Sequence, residues 1–322
     1  MVYAPIVIPT LCRFQHIKRL IESLQKNSWA KYTELYIGID YPPHEQYRDG
    51  YDQICKYFKA GVNGFLNVNV YFHKANLGSY ENALFLLRKV REKYDRYIFT
   101  EDDNEFSPNF LEYMDKMLEY YADDPKIIAI SGHNPLLKTD LPSNALLCIN
   151  TLFDGWGTGY WIKKMDKIYN DVNMKYLGNI MGDLRSSIRL RKKNRNLFFY
   201  LAEAVVFQKG AMFGENGKLY IIDEVLSIYM IENEKYMLCP VYSKVRNWGD
   251  DGTGEHALND KKWCHQIIDN NEYYNMPKNA IIISERDIKR QLREKYYWDW
   301  YMNIRSFLVW ICWYLKNIFK RL

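Results

Sequence analysis

Three consecutive carboxylates, Glu101, Asp102 and Asp103, follow directly on an apolar run in the segment RYIFTEDDNEF (96–106). Clustered carboxylates repel one another and cost stability unless a positive charge neutralises them. A hard divalent cation does this with oxygen ligands from one or two carboxylates, and it commonly shares its coordination with the phosphates of a bound molecule. The triplet therefore indicates a metal-bound diphosphate, with an acidic turn before the next helix as the simpler alternative.

The segments around the triplet predict the elements that position it. Strand patterns cover 4–9, 34–40, 67–73 and 96–103, and helical patterns cover 14–25 and 79–94. This alternation predicts an α/β fold, with a mixed, mostly parallel sheet flanked by helices. Ligands bind at the carboxyl ends of such strands, so Thr10, Arg13, Asp40 and the Asn76–Gly78 turn are expected at the same edge as the triplet. A further helix is predicted from Ser107, as N-cap, to Tyr121.

Composition narrows the class of protein. The 322 residues are 48% hydrophobic and 26% charged, which is typical of a globular protein, and a net charge of +5 does not indicate nucleic-acid binding. The six cysteines are scattered without a C-x-x-C pair, which favours reduced thiols over a disulfide framework. The N-terminal segment lacks the pattern of a signal peptide, so we expect a cytoplasmic location.

The last part of the chain, 296–322, is dense in Trp and Tyr and ends in basic residues. Its unbroken apolar run, Ser306 to Leu315, is shorter than the roughly 20 residues that span a bilayer. We expect a helix lying in the plane of the membrane surface, which would place the protein on the inner face of the cytoplasmic membrane. The alternative is a terminal helix that docks on the protein itself or on a second subunit. The predicted domains are a catalytic domain over 1–290, with halves 1–103 and 104–290, and a tail over 291–322.

Several segments occur in the order and spacing of glycosyltransferases of the GT-A fold. They include IVIPTLCRF (6–14), IGIDYPP (37–43), KANLGSYENA (74–83), TEDDNEFSPNFLEYM (100–114), FDGWGTGYWIKKMDKIY (153–169) and VRNWGDDGTGEH (245–256). Over residues 4 to 260 the chain resembles bacterial polysaccharide sugar transferases. It resembles, more distantly, the Golgi N-acetylglucosaminyltransferase I type.

The resemblance implies a role for each matching residue of the donor half. Asp103 would bind the Mn²⁺ or Mg²⁺ that bridges the donor diphosphate, Asp102 would contact the ribose or sugar, and Glu101 would support them. Asp40 would hold the nucleotide base, with Arg13 near the base or phosphate. The remaining donor residues implied in this way are Thr10, Asn76 and Gly78.

In the other half the resemblance aligns the catalytic base with Asp223, although Ile222 stands where the family usually has Trp. Glu224 and Glu215 are the substitutes for that base. His256 matches a histidine near the metal or diphosphate. Trp156, Gly157 and Trp161 match the wall of the sugar and acceptor pocket, and an ordinary aromatic core is the alternative for them.

The expected activity is a metal-dependent, inverting transfer of a sugar from a nucleoside diphosphate, with uridine as the expected nucleoside. The expected acceptor is a hydroxyl of a glycan or lipid-linked molecule in bacterial surface polysaccharide synthesis. A non-catalytic protein that binds nucleotides or glycans at the membrane is the first alternative. A nucleotidyltransferase is the second, but the segment PTLCRFQH (9–16) has no glycine where that class carries a Gly-rich loop.

Overall fold

The computed structural model describes residues 2–135, 137–138, 145–210, 212–214, 217–253, 263–276, 281–296 and 300–319. Contacts divide the chain into two compact units. The first contains 1–147, 154–163 and 238–282, and the second contains 148–153, 164–237 and 283–322. Residues beyond 290 thus group with the second unit, and the domain limits at 103 and 290 stay a prediction.

The described strands are β1 (Ile6–Thr10), β2 (Glu34–Ile39), β3 (Asn67–Phe72), β4 (Arg96–Phe99), β5 (Asn104–Phe106), β6 (Ile127–Ser131), β7 (Leu146–Ile149), β8 (Thr158–Trp161), β9 (Tyr236–Pro240), β10 (Val245–Asn247) and β11 (Ile282–Ser284). The described α-helices are α1 (Phe14–Gln25), α2 (Arg48–Lys59), α3 (Ser79–Val90), α4 (Phe110–Tyr120), α5 (Ile162–Asp171), α6 (Met174–Gly182), α7 (Leu184–Lys193), α8 (Arg195–Phe207), α9 (Asp223–Asn233), α10 (Glu285–Tyr296) and α11 (Trp300–Phe319).

Nine of these strands form one sheet, in the order β11-β7-β9-β6-β8-β4-β1-β2-β3. Strand β1 pairs in parallel with β2 and β4, and β2 pairs in parallel with β3. Strand β8 runs antiparallel to both β4 and β6. The predicted α/β class, with a mixed sheet that is parallel through its N-terminal strands, is confirmed. It agrees with the GT-A layout that the sequence resemblance implies.

The N-terminal strands read as continuous apolar runs because both faces of the sheet are covered. Every residue of β2 is buried, and Ile6, Val7 and Ile8 of β1 are fully buried. Parallel strands between two helical layers have this pattern, since neither face is left to water. This buried centre fixes where the strands end, and the polar residues begin at those ends.

Two predicted boundaries need correction. Strand β4 ends at Phe99, before the acidic triplet, and helix α4 begins at Phe110 with Asn109 as its N-cap, not at Ser107. The N–H of Ser107 donates to the carbonyl of Lys244 at 2.9 Å, which continues the pairing of β5 with β10. Backbone pairing therefore keeps Ser107 extended, and the helix starts after it.

The second unit is largely helical in its described part. Helix α8 packs against α11, α7 and α6. The predicted terminal helix is present as α11, and its contacts with α8 and α6 give it a packed face within this unit. None of the described helices is long and apolar enough to cross a bilayer.

Candidate functional site

The order of strands reverses between β1 and β4, because β2 and β3 lie on one side of β1 and β4 lies on the other. A crevice opens at the carboxyl ends of strands where the order reverses. The chain leaves β1 at Thr10 and leaves β4 just before the triplet. The Thr10 hydroxyl donates to Asp102 Oδ2 at 2.7 Å, which joins the two strand ends. The sequence prediction that these residues meet is confirmed.

Arg13 holds both aspartates of the triplet. Its guanidinium forms an ion pair and a hydrogen bond with Asp102, and its Nη1 lies 2.8 Å from Asp103 Oδ2. Asp102 and Asp103 are only 4% and 6% exposed. Burial opposes the charge of Arg13, but the two aspartates outweigh burial and raise its pKa. Burial raises the pKa of Asp102, and the charge of Arg13 partly offsets that rise.

The site carries more negative charge than Arg13 can neutralise. Glu101 is exposed, and it adjoins the two buried aspartates in the chain. Those surroundings, followed by the charge of Asp103, raise the pKa of Glu101 to about 8, and Asp102 and Asp154 add to the rise. Burial and nearby negative charge both raise the pKa of a carboxyl, and both act on Glu101.

The last residue of strand β10 and the two residues after it cover Asp103. Asn247 Nδ2 donates to Asp103 Oδ1 at 2.8 Å, and the Trp248 N–H donates to the Asp103 carbonyl at 2.9 Å. A Cβ added at Gly249 would collide with the Asp103 carboxylate, so only glycine permits this close approach. Asn247, Trp248 and Gly249 were not assigned by sequence reasoning, although they lie in one of the resembling segments.

Trp248 is anchored from both sides. Its ring lies 4.1 Å from the Arg19 guanidinium carbon and 5.1 Å from that of Arg246. Its indole N–H donates to Glu105 Oε2 at 2.7 Å, and its carbonyl lies 3.2 Å from His16 Nε2. Such cation–π contacts with a bound indole hold the ring rigidly. The segment over Asp103 is therefore tied to helix α1 and strand β5.

Asp40 organises the loops that follow β2 and β3. Its Oδ1 accepts from the N–H groups of Tyr41 (2.9 Å) and Leu77 (2.8 Å), and its Oδ2 accepts from the Gly78 N–H (2.9 Å) and from Asn76 Nδ2 (3.2 Å). Gly78 has a φ of +79°, which glycine adopts most readily. Asp40, Asn76 and Gly78 are thus brought together as predicted, and the role of Asp40 at a nucleotide base stays a prediction.

A buried histidine lies beside the site. His133 is fully buried, and its Nδ1 forms a short contact with Asp154 Oδ2. Its Nε2 lies 2.9 Å from Gln266 Oε1, and the Gln266 amide is oriented because its nitrogen donates to the Asn134 carbonyl at 2.7 Å. This orientation makes His133 Nε2 the donor to Gln266 Oε1.

Aromatic rings cover this histidine. The Trp156 and Trp263 rings lie 4.8 and 5.3 Å from the His133 ring, and they contact each other at 5.2 Å. Trp156 is half-buried, and its N–H donates to Asp154 Oδ1 at 3.0 Å. Sequence reasoning found Trp156 but missed His133, Asp154 and Trp263. These positions are far apart in the chain, and no local motif connects them.

Two other predicted pocket residues lie in packed surroundings. Trp161 ends strand β8, is 5% exposed and donates its indole N–H to the Leu118 carbonyl at 3.0 Å. Gly157 has a φ of +59°, and a Cβ there would collide with Phe106 and Val245. Trp161 therefore lies in surroundings typical of an aromatic core, which is the alternative given for it above. Glycine is required at 157 because a side chain there would collide with Phe106 and Val245.

The residues predicted for base catalysis lie in the second unit. Asp223 and Glu224 occupy the first turn of α9, where the partial positive charge of a helix N-terminus favours a carboxylate. Asp223 is exposed and Glu224 is half-buried. His256 and Glu215 lie outside the described residues.

The residues available to a metal are the carboxylates of the triplet. Among the described residues, no group of three or more His, Cys, Asp or Glu side chains is arranged as a metal site. Mg²⁺ and Mn²⁺ sites that also engage phosphate need only one or two protein carboxylates. Asp102 and Asp103 fit that requirement, because they are buried together and Arg13 leaves negative charge uncompensated.

No family model and no curated protein matches the chain. Searches of solved structures find TarS of S. aureus (13% identity, TM-score 0.35, covering 51% of this chain and 29% of that one). They also find TarS 1–349 with UDP-GlcNAc (15%, 0.35, covering 51% and 47%) and the mannosyltransferase PcManGT of Pyrobaculum calidifontis with GDP-Man and Mn²⁺ (12%, 0.35, covering 52% and 46%). The aligned part is about half of this chain and less than half of each of those chains. At these scores the similarities do not define a family for it.

Proposed function

We propose that this protein is a metal-dependent glycosyltransferase, which moves a sugar from a nucleoside diphosphate, with uridine as the expected nucleoside, to a hydroxyl of a glycan or lipid-linked acceptor. The observation that carries the proposal is the buried Asp102–Asp103 pair, held by Thr10 and Arg13 at the point where the strand order reverses. The ordered sequence segments that resemble GT-A glycosyltransferases support it. The proposed setting is bacterial surface polysaccharide synthesis.

In this proposal Asp103, with Asp102, holds Mn²⁺ or Mg²⁺. A bound cation of this kind supplies Lewis-acid stabilisation of the negative charge that develops on a leaving diphosphate. Arg13 contacts Asp103 Oδ2 and would supply a second positive charge beside a cation held by the aspartates. Arg13 then neutralises charge at the donor phosphates, and Asp40 fixes the loop that lines the nucleotide.

Acidic and aromatic residues of this chain supply the catalytic base and the contacts with the sugar. Asp223 is the proposed base for the acceptor hydroxyl, and direct displacement with a single base gives inversion at the anomeric carbon. His133 and Trp156 hold the Asp154 carboxylate in place, where it would accept hydrogen bonds from sugar hydroxyls. If Asp223→Asn keeps a kcat close to that of the wild type, the base assignment is wrong.

The first test measures thermal stability with nucleotides and nucleotide sugars, with and without Mn²⁺, for the wild type and Asp103→Asn. A ligand that binds only the folded state stabilises it by mass action. We expect a metal-dependent rise in Tm with one nucleotide class, absent in Asp103→Asn and retained in the exposed control Asp123→Asn. A wild-type protein that responds to no nucleotide would overturn the proposal.

A second test separates the enzyme from a binding protein. A transferase slowly hydrolyses its donor when no acceptor is present, whereas a module that only binds nucleotides leaves the donor intact. We expect metal-dependent release of nucleoside diphosphate by the wild type and a large loss in Asp103→Asn. Tm shifts without any release would favour the binding alternative.

A further inference from the structure

One face of helix α11 packs against other helices of the second unit. Trp310 is 8% exposed, and its indole N–H donates to the Met181 carbonyl at 3.1 Å. Its ring also lies 6.0 Å from the ring of Phe198, and Ser306, one turn earlier, is 1% exposed. These contacts fix the rotation of the helix, and they determine which side chains face away from the unit.

The opposite face of α11 is apolar and exposed. Trp300, Ile304, Leu308 and Leu315 are 69%, 54%, 56% and 48% exposed. Their spacing of four, four and seven residues places them on one side of an α-helix. Cys312, which is also exposed, continues the same stripe. Large apolar side chains grouped in this way mark an interaction surface, unlike single exposed residues.

Helix α7 lies next to this stripe. The Arg191 guanidinium carbon is 4.6 Å from the ring of Phe307, which is one turn from Ile304 on α11. Helix α7 also exposes apolar residues of its own, since Leu184 and Ile188 are 45% and 42% exposed. The two helices together thus present apolar side chains to solvent.

The charge on these two helices is of one sign. Helix α7 contains three arginines and two lysines and no acid, and α11 contains Arg305 and Lys316 and no acid. Arg191 is only partly exposed, and its Nε has no hydrogen-bond partner. Burial, followed by the charge of Arg195, lowers the pKa of Arg191. A cation in such surroundings lacks an anion.

We propose that the surface formed by α7 and the exposed stripe of α11 docks on a membrane that contains anionic lipids. The stripe enters the boundary between headgroups and acyl chains, Trp300 lies at the headgroup level, and the cations on both helices contact lipid phosphates. Arg189, Lys193 and Arg305 pair with Glu232, Glu285 and Glu203. The exposed cations Arg185, Lys192 and Lys316, together with the apolar stripe, are complementary to a negatively charged bilayer surface. This inference does not depend on the transferase activity.

The test measures partition of the full chain onto vesicles without any nucleotide. Vesicles of phosphatidylcholine alone are compared with vesicles that also contain phosphatidylglycerol. We expect binding to the anionic vesicles that weakens with added salt, because exposed charges are screened. Leu308→Glu should reduce the partition coefficient at least about tenfold, since an apolar contact is replaced by a charge of the wrong sign. Lys192→Gln combined with Lys316→Gln should reduce it roughly tenfold.

Matched variants on the first unit serve as controls. Leu66→Glu changes a leucine that is 60% exposed, and Lys56→Gln with Lys59→Gln removes two exposed lysines of α2. Both should bind vesicles like the wild type. Unchanged binding by Leu308→Glu would overturn the proposal. A second result would also overturn it: the wild type forms a stable dimer and does not bind vesicles, and Leu308→Glu dissociates that dimer. The stripe would then bind a second copy of the chain.

Discussion

Glu101 links the charge of the site to pH. Burial and the neighbouring carboxylates raise its pKa to about 8, so Glu101 holds its proton to a higher pH than a carboxyl in water, which loses it near pH 4. A divalent cation at Asp102 and Asp103 would favour the ionised form of Glu101 and release that proton. Metal affinity and the protonation of Glu101 are therefore coupled.

We predict that Mn²⁺ binds more tightly as pH rises from 6 to about 8 and that the gain levels off above the pKa of Glu101. The affinity should increase by at most about tenfold per pH unit, because one proton is released. Titration calorimetry at several pH values measures this. In Glu101→Gln the dependence should be much weaker over the same range, and an unchanged slope would show that another group is responsible.

Asp115 is a second carboxyl with a raised pKa, and it is not one of the residues proposed for catalysis. It is fully buried, its Oδ1 accepts from the Ala4 N–H at 2.8 Å and its Oδ2 has no partner. Burial raises its pKa to about 7. The folded state therefore keeps this proton between pH 4 and 7 while the unfolded state has lost it.

Stability should consequently fall as pH rises from 4 to 7, by at most about 4 kcal/mol from this group. Asp115→Asn keeps an acceptor for Ala4 but does not ionise, so its unfolding free energy should depend less on pH over that interval. Denaturation at a series of pH values provides the measurement. Asp123→Asn, at an exposed carboxylate, should follow the wild-type curve.

At the scale of elements, the loop after β3 depends on one glycine. A Cβ at Gly78 would meet no atom within 4 Å, so substitution there is opposed by backbone conformation alone, at a φ of +79°. With ψ at 158° this conformation is one that essentially only glycine adopts, so Gly78→Ala should cost about 1–3 kcal/mol. Gly178→Ala, in helix α6 and also without a neighbour within 4 Å, should be neutral or stabilise by up to about 1 kcal/mol. Chemical denaturation of both variants tests the opposite signs.

Much of the sheet could be predicted because its signals are local. Apolar runs bounded by polar residues give β1, β2 and β3 within two residues, and helix α1 is predicted at its observed limits. The start of α4 was missed because pairing with the distant residue Lys244 keeps Ser107 extended. The preference of serine for the N-cap is a local signal, and it cannot reveal a hydrogen bond with a residue more than a hundred positions away.

The same limit applies to the candidate site. The strand-end residues Thr10, Arg13 and the triplet were predicted together because topology alone makes them neighbours. The contact of His133 with Asp154 depends on how β6 and β8 pair, and the position of Gln266 depends on a later segment. Asp154 lies in the segment 153–169, but nothing in the sequence pairs it with His133 or Gln266.

At the scale of the whole molecule, the six cysteines, all among the described residues, form no disulfide with one another. Cys312 is exposed and Cys55 and Cys239 are buried, so their reactivity should differ. We predict that Cys312 reacts first with a thiol reagent in the native protein and that six thiols react after denaturation without reductant. Mass spectrometry of the labelled peptides identifies the order. Fewer than six reactive thiols would indicate a disulfide.

The hydrogen bonds of Asp40 have a consequence for engineering. Because one carboxylate accepts from the chain directly after β2 and from three residues after β3, neither loop can be exchanged alone. A chimera that replaces the loop at residue 40 with one that lacks a carboxylate there would leave the N–H groups of Leu77 and Gly78 without their acceptor. The two loops therefore depend on each other, and a redesign of ligand preference at this edge of the sheet would have to replace both loops together.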